Sequence, residues 1–171
     1  MRNLVLIGMP GTGKSTIGYV LAKKLGFRLI DTDTLLKEKH KRSLPQIIAD
    51  EGLETFLQWE EAEGKQLVCD RCVVATGGSM VYSDAAMRNL KKLGVVVWLD
   101  TPMEELERRV ARSGDRGIAA PKGTSLAVLD AQRRPLYERF ADIRVSCKGY
   151  KNVVADRIIE MLATYEAKQS Q

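Results

Sequence analysis

Three observations predict an α/β fold: one parallel sheet of about five strands with helices on both faces. Strand-like apolar runs alternate with helical patterns along all 171 residues. The first run, Leu4-Val5-Leu6-Ile7, leads directly into Gly8-Met9-Pro10-Gly11-Thr12-Gly13-Lys14-Ser15, which fits G-x-x-x-x-G-K-[ST]. A later run, Val95-Val96-Val97-Trp98-Leu99, is apolar throughout, as strands buried on both faces are. No repeat, linker or low-complexity segment interrupts the alternation, so residues 1–171 read as a single domain large enough to bury a real core.

The elements follow in order. After the glycine loop, Ile17, Val20, Leu21 and Leu25 recur at helical spacing, and Gly26 closes that helix. Phe27 to Ile30 reads as the second strand and delivers Asp31-Thr32-Asp33 at its carboxyl end. A helix from about Asp33 to Lys41 comes next, and Ser43-Leu44-Pro45-Gln46 opens another helical stretch. The pattern continues from Glu51 to Val68, with Leu53, Phe56 and Leu57 on one side. Val73 to Thr76 is the third strand and ends in Gly77-Gly78-Ser79. Ser83 to Leu93 is helical and stops at Gly94, before the fourth strand at Val95 to Leu99.

Thr101-Pro102-Met103-Glu104 has the form of a capping box with proline at the first helical position, and its helix reaches about Arg112. Residues 113–125 are polar and carry Gly114, Gly117, Pro121 and Gly123, the composition of a lid loop. A helix over about Leu126–Ala141, a strand at Ile143–Ser146 and a helix over Asn152–Tyr165 complete the chain.

Composition narrows the function. Apolar residues make up 44% of the chain, as in an ordinary globular protein, and no apolar run is long enough to span a bilayer. Met1-Arg2-Asn3 runs straight into a strand with no room for a leader, so a cytoplasmic location is expected. The formal charge of +5 is spread among acidic residues with few aromatics nearby, which fits polyanionic small molecules better than nucleic acid. Cys69-Asp70-Arg71-Cys72 has C-x-x-C spacing. With only Cys147 and His40 to add, it reads as a pair of inert thiols rather than a zinc or redox site. A monomer with a small hydroxylated substrate, no nucleic acid and no membrane is the expected state.

The glycine loop carries the chemistry. Glycines let the backbone wrap a phosphate with several N–H groups aimed at its oxygens, and the next helix presents its positive dipole end. Gly11, Thr12, Gly13, Lys14, Ser15 and Thr16 form the nucleotide-binding set. Lys14 supplies charge to the outer phosphates, and the Ser15 hydroxyl suits the magnesium that travels with them. Asp31 is a further metal candidate, and Asp33 is placed to accept a hydrogen bond from an acceptor hydroxyl and take its proton. The alternative for this pair is a helix cap at Asp33 with Asp31 in solvent. Arg116, in the lid stretch, reads either as an arginine finger or as a surface residue. Arg133, ahead of Pro135 in a kinked helix, reads either as an anion clamp or as part of a basic face.

The order of these motifs resembles the shikimate kinases. The matching pieces are Gly8 to Ser15, Asp31-Thr32-Asp33, Gly52 with Phe56 and Glu60, Ala75-Thr76-Gly77-Gly78, Asp115-Arg116, and Arg133-x-Pro135-x-Tyr137. The resemblance implies a single-domain P-loop kinase with a lid at about 113–125, a substrate-binding helical region at about 33–62, ATP and Mg2+ as cofactors, and a cyclic hydroxy-acid acceptor. It further implies Asp33 on the acceptor hydroxyls, Arg133 on its carboxylate, Gly77 and Gly78 as the pocket floor, Arg116 as the lid arginine and Arg109 against the adenine. Lys14, Asp33 and Arg116 would be catalytic.

Three departures stand out. The family reads G-E-x-x-F-R-x-x-E where this chain has Leu53 and Leu57 in place of the glutamate and the carboxylate-clamping arginine. The glycine triplet ends in Ser79, which joins Leu57 in the substrate-binding set, and Gly117 stands where the lid usually has proline. A related kinase of another hydroxylated metabolite is therefore a second expectation. A nucleoside monophosphate kinase and a non-catalytic ATP-binding switch are further alternatives.

Overall fold

The computed structural model describes residues 2–112, 114 and 117–170. Five parallel strands form one sheet in the order β2-β3-β1-β4-β5. They are β1 (Asn3–Ile7), β2 (Arg28–Asp31), β3 (Cys72–Ala75), β4 (Gly94–Asp100) and β5 (Ile143–Ser146). Eight α-helices lie among the described residues: α1 (Lys14–Leu25), α2 (Thr32–His40), α3 (Leu44–Glu51), α4 (Leu53–Gln66), α5 (Asp84–Leu93), α6 (Met103–Ala111), α7 (Leu126–Phe140) and α8 (Lys151–Gln169). A single 3-10 turn spans Met80–Tyr82.

Alternation along the strands divides the core. Leu4, Leu6, Val73, Val95 and Val97 pack with Ile17 and Leu21 of α1 and Ile158 and Leu162 of α8. Val5, Ile7, Val74, Val96 and Trp98 face the other way, toward Met87 and Leu90 of α5 and Tyr137 of α7. A smaller third cluster joins Leu36, Leu44, Ile47, Phe56 and Ala119, with Leu53 and Leu57 packed against it.

Strand β1 lies between β3 and β4, whereas the chain leaves it for β2 at the edge. Connections diverge around such a strand, and a crevice opens beyond its carboxyl end. The loops after β1 and β3 meet there: the Thr76 amide and hydroxyl both donate to the Leu6 carbonyl, at 3.1 and 2.9 Å.

Several expected boundaries shift for identifiable reasons. Helix α2 begins at Thr32, not Asp33, because Asp31 is its N-cap and accepts from the Asp33 and Thr34 amides at 3.0 and 3.2 Å. The helical stretch after Ser43 is two helices broken at Gly52, whose φ of 86° ends α3 and starts α4. Ser43 and Gln46 form a capping box for α3. The box expected at Thr101 does not form: the N-cap of α6 is Pro102 with no side-chain cap. The buried Thr101 hydroxyl lies 2.8 Å from the Thr12 hydroxyl instead. Gly94 belongs to β4 in extended backbone, where a Cβ would come within 2.0 Å of the Asn3 carbonyl oxygen.

Candidate active site

The loop between β1 and α1 is shaped by its glycines. Gly13, the N-cap of α1, has φ of 96°, a conformation that L side chains rarely adopt. Gly11 has φ of 83°, and a Cβ there would come within 2.9 Å of Val110. The loop is braced from β4, through Thr12 to Thr101 and to the Leu99 carbonyl at 3.4 Å. Lys14 is buried, and its ammonium donates to the Gly8 and Met9 carbonyls at 2.7 and 2.9 Å. Burial lowers its pKa to about 8, against the partly offsetting negative charge of Asp33.

The two acids at the end of β2 divide their tasks. Asp31 caps α2 with one oxygen and accepts from the Ser15 hydroxyl with the other. Asp33 lies in the first turn of α2 and lines the main cleft. Its carboxyl is raised above the usual range by burial first and by neighbouring Asp31 second, with Lys14 and Lys37 pulling the other way. The alternative of a capping Asp33 and a solvated Asp31 is therefore reversed.

That cleft encloses about 740 Å³, counting the part open to solvent. Lys14, Ser15 and Thr16 line it from the loop after β1, and Asp33, Glu60 and Arg133 line the same cavity from α2, α4 and α7. The floor is Gly77 and Gly78, where a side chain would displace the groups that line the cleft. A Cβ on Gly77 would sit 2.0 Å from Glu60 Oε1 and 2.8 Å from Asp33 Oδ1; one on Gly78 would sit 2.8 Å from Arg133 Nη1. Phe56, Leu44, Ile118 and Ala119 supply apolar wall.

Arg133 is only 1% exposed. It donates from Nε to the Tyr82 hydroxyl at 3.2 Å and from Nη2 to the Ala119 carbonyl at 2.8 Å, with its guanidinium carbon 5.1 Å from the Tyr82 ring centre. Tyr137 donates to the Gly78 carbonyl at 2.9 Å and packs beside Trp98. Glu60, likewise 1% exposed, accepts from the Ser79 hydroxyl through Oε2, while Oε1 has no hydrogen-bond partner. Burial, then the Asp33 charge, outweigh the Ser79 bond, Arg133 and Lys14 and push the Glu60 pKa up to about 7.

Arg109 lies on the far side of the phosphate loop. Its Nη1 donates to the Thr12 carbonyl at 3.0 Å and its Nε to Glu105 at 2.8 Å. A second hollow beside it is lined by Thr16, Val20, Arg112, Tyr150 and Asn152. Helix α7, which carries Arg133, is anchored by the next residue. Arg134 bonds Asp130 and Asp100, both at 3.1 Å, and its guanidinium carbon lies 5.1 Å from the Trp98 ring centre. Arg144 of β5 bonds the same Asp100 and lies 4.5 Å from the same ring centre.

The structure thus brings Gly11, Gly13, Lys14, Ser15, Thr16, Asp33, Gly77, Gly78, Ser79 and Arg133 to one cleft. Thr12 is buried behind it as a brace, Asp31 reaches it through Ser15, and Arg109 borders the second hollow. Leu57 is not in the cleft lining and packs against the third apolar cluster. Arg116 lies outside the described residues. Cys72 and Cys147 are buried and Cys69 is half-buried; all three are free, and burial raises Cys69 and Cys147 to about 11. No metal-binding cluster of His, Cys, Asp and Glu occurs among the described residues. Among those residues no helix is long and apolar enough to cross a membrane. Sequence reasoning missed Thr101, Tyr82 and the Ser79–Glu60 contact, which join segments far apart in the chain.

A phosphate loop leaving the central strand, an acid at the end of β2 and a shared cleft lined by both are the marks of a P-loop kinase. The family profile described as shikimate kinase matches residues 10–163. A shikimate kinase of Synechococcus sp. (strain RCC307) is 42% identical over 166 residues, covering 94% of this chain and 84% of the relative. The solved shikimate kinase of Acinetobacter baumannii in complex with shikimate superposes with a TM-score of 0.89 at 29% identity, covering 96% of this chain and 94% of the other. Human Threonine synthase-like 1 is 34% identical over 177 residues, which span 99% of this chain but 23% of that longer protein. The chain belongs to the shikimate kinase family.

Proposed function

We propose that this enzyme transfers the terminal phosphoryl group of ATP to a hydroxyl of shikimate, giving shikimate 3-phosphate. The observation that carries the reading is the convergence of Lys14, Asp33 and Arg133 on one cleft. An acceptor whose carboxylate pairs with Arg133 would reach across the glycine floor to present a hydroxyl to Asp33. The kinship with a protein solved in complex with shikimate supports that acceptor.

The geometry supports the following roles. The loop amides and the start of α1 hold the phosphates, and Lys14 exchanges its two carbonyl partners for phosphate oxygens. Asp33, whose raised pKa makes it a better proton acceptor than a solvated aspartate, takes the proton of the acceptor hydroxyl. The acceptor oxygen bonds to the terminal phosphorus as the bond to the bridging oxygen breaks and ADP departs. Ser15 and Asp31 are adjacent hard oxygen donors beside Lys14 and fit Mg2+, which when bound would neutralise charge between the outer phosphates. Arg109 and the hollow beside Tyr150 serve the nucleobase side. Arg116 acts from the lid on the migrating group. The protein works as a cytoplasmic monomer.

One observation favours a second reading, a different hydroxylated acceptor: Leu57 puts no cation in the cleft. The kinship with part of Threonine synthase-like 1 shows that this sequence pattern also occurs outside proteins named shikimate kinase. The test is ATP turnover with shikimate against a panel of polyols, hydroxy acids, hydroxy amino acids and nucleoside monophosphates. Saturable shikimate phosphorylation is expected. Its absence beside robust turnover of another acceptor would overturn the shikimate reading, and nucleotide binding with no acceptor at all would overturn the kinase reading.

A further inference from the structure

The cleft holds a buried carboxylate and a buried guanidinium that do not pair. Neither Glu60 nor Arg133 takes part in an ion pair among the described residues, although both line the same cavity. Opposite charges attract strongly where water is scarce. An arginine at position 57, one turn before Glu60 on α4, would be near enough to satisfy the carboxylate. Leucine there leaves Glu60 with Asp33 and Lys14 as its other charged neighbours, apart from Arg133. Something else must keep Glu60 from taking the guanidinium that the acceptor needs.

The short turn after the glycine floor meets that need at both ends. Ser79, its N-cap, donates to Glu60 Oε2. Tyr82, its last residue, accepts from Arg133 Nε at 3.2 Å and lays its ring beside the guanidinium. The turn is held shut by the Tyr82 amide on the Ser79 carbonyl at 3.0 Å. It therefore fixes the carboxylate at one end and the cation at the other. Arg133 Nη1 lies over the glycine floor, 2.8 Å from where a Cβ on Gly78 would stand.

Resting on the acceptor reading above, we propose that Ser79 and Tyr82 are positioning residues that hold Glu60 and Arg133 apart, so that Arg133 stays available to the acceptor's carboxylate. Ser79, at the third position of the glycine triplet, compensates for leucine at position 57. Its φ of −92° is open to any residue, so Ser79→Gly removes the hydroxyl without relieving strain.

The test is a set of variants in the full chain: Ser79→Gly, Tyr82→Phe, Leu57→Arg, and Ser79→Gly with Leu57→Arg. ADP titration of each reports an intact nucleotide site independently of the acceptor. Ser79→Gly and Tyr82→Phe should raise the KM for shikimate roughly 10- to 100-fold, the loss of a charge-assisted bond, with the KM for ATP unchanged and kcat moving less. Adding Leu57→Arg to Ser79→Gly should bring the acceptor KM back toward its starting value, because Glu60 regains a partner. An unchanged acceptor KM in both single variants, or no rescue in the double variant, would overturn the proposal. Failure of the acceptor reading looks different: the unmodified protein would not phosphorylate shikimate. The same four variants would then be measured with whichever carboxylate acceptor it does use.

Discussion

Glu60 should make the protein less stable as pH rises through neutrality. Its carboxyl titrates near 7 in the fold against 4.5 in an open chain, mainly because it is buried and next because Asp33 is close. Between those two values the folded state holds a proton that the unfolded state has lost, so stability falls with increasing pH. A gap of this size corresponds to about 3 kcal/mol over the full window, of which about 2–3 kcal/mol falls between pH 5 and pH 8. Glu60→Gln keeps an oxygen for the Ser79 hydroxyl but cannot ionise. Urea unfolding of both proteins at several pH values isolates the effect, since every other titrating group is common to the pair. Relative to the unmodified protein, the glutamine variant should gain about 2–3 kcal/mol between pH 5 and pH 8. Stability curves that run parallel across that range would refute the assignment of an uncompensated buried carboxyl.

Two further tests address the phosphate end. Lys14 titrates near 8 in the free enzyme, and polyphosphate restores its charge, so ADP binding at pH 8.5 should take up part of a proton and at pH 7 almost none. Calorimetry in buffers of different ionisation heat reads this directly, and buffer-independent enthalpies at pH 8.5 would contradict it. Asp31 both caps α2 and faces Ser15, and two variants separate those tasks. Asp31→Asn should keep the cap while raising the Mg2+ concentration for half-maximal activity at least ~10-fold, whereas Asp31→Ala should lose about 1 kcal/mol of stability as well. An asparagine variant with unaltered Mg2+ dependence would remove Asp31 from the metal site.

What the sequence disclosed was local. The glycine loop, the continuous apolar run of β4 and the helix starts at Ser43 and Ser83 each depend on residues within a few positions of one another. The strand order is set by packing between distant segments and could not be read along the chain. Thr101 illustrates the boundary. Its neighbours spell a capping box, yet its hydroxyl lies against Thr12, 89 residues away, because at the end of β4 it is buried behind the phosphate loop. The same holds for Asp31 and Asp33, where spacing named both acids but only the residue at which α2 begins decided which one caps it. Ser79 looked like a flawed glycine triplet until the fold brought Glu60 beside it.

Arg133 and Arg134 are neighbours with opposite allegiances. The second is fastened to Asp100 and Trp98 at the mouth of the sheet, and Arg144 grips the same two residues from β5. The aim of the first is therefore inherited: its helix is moored to the strand ends, so the cleft's guanidinium is surveyed from the sheet and not from its own contacts alone. A change at Asp100, a residue with no place in the chemistry, would reach the cleft as a misdirected arginine.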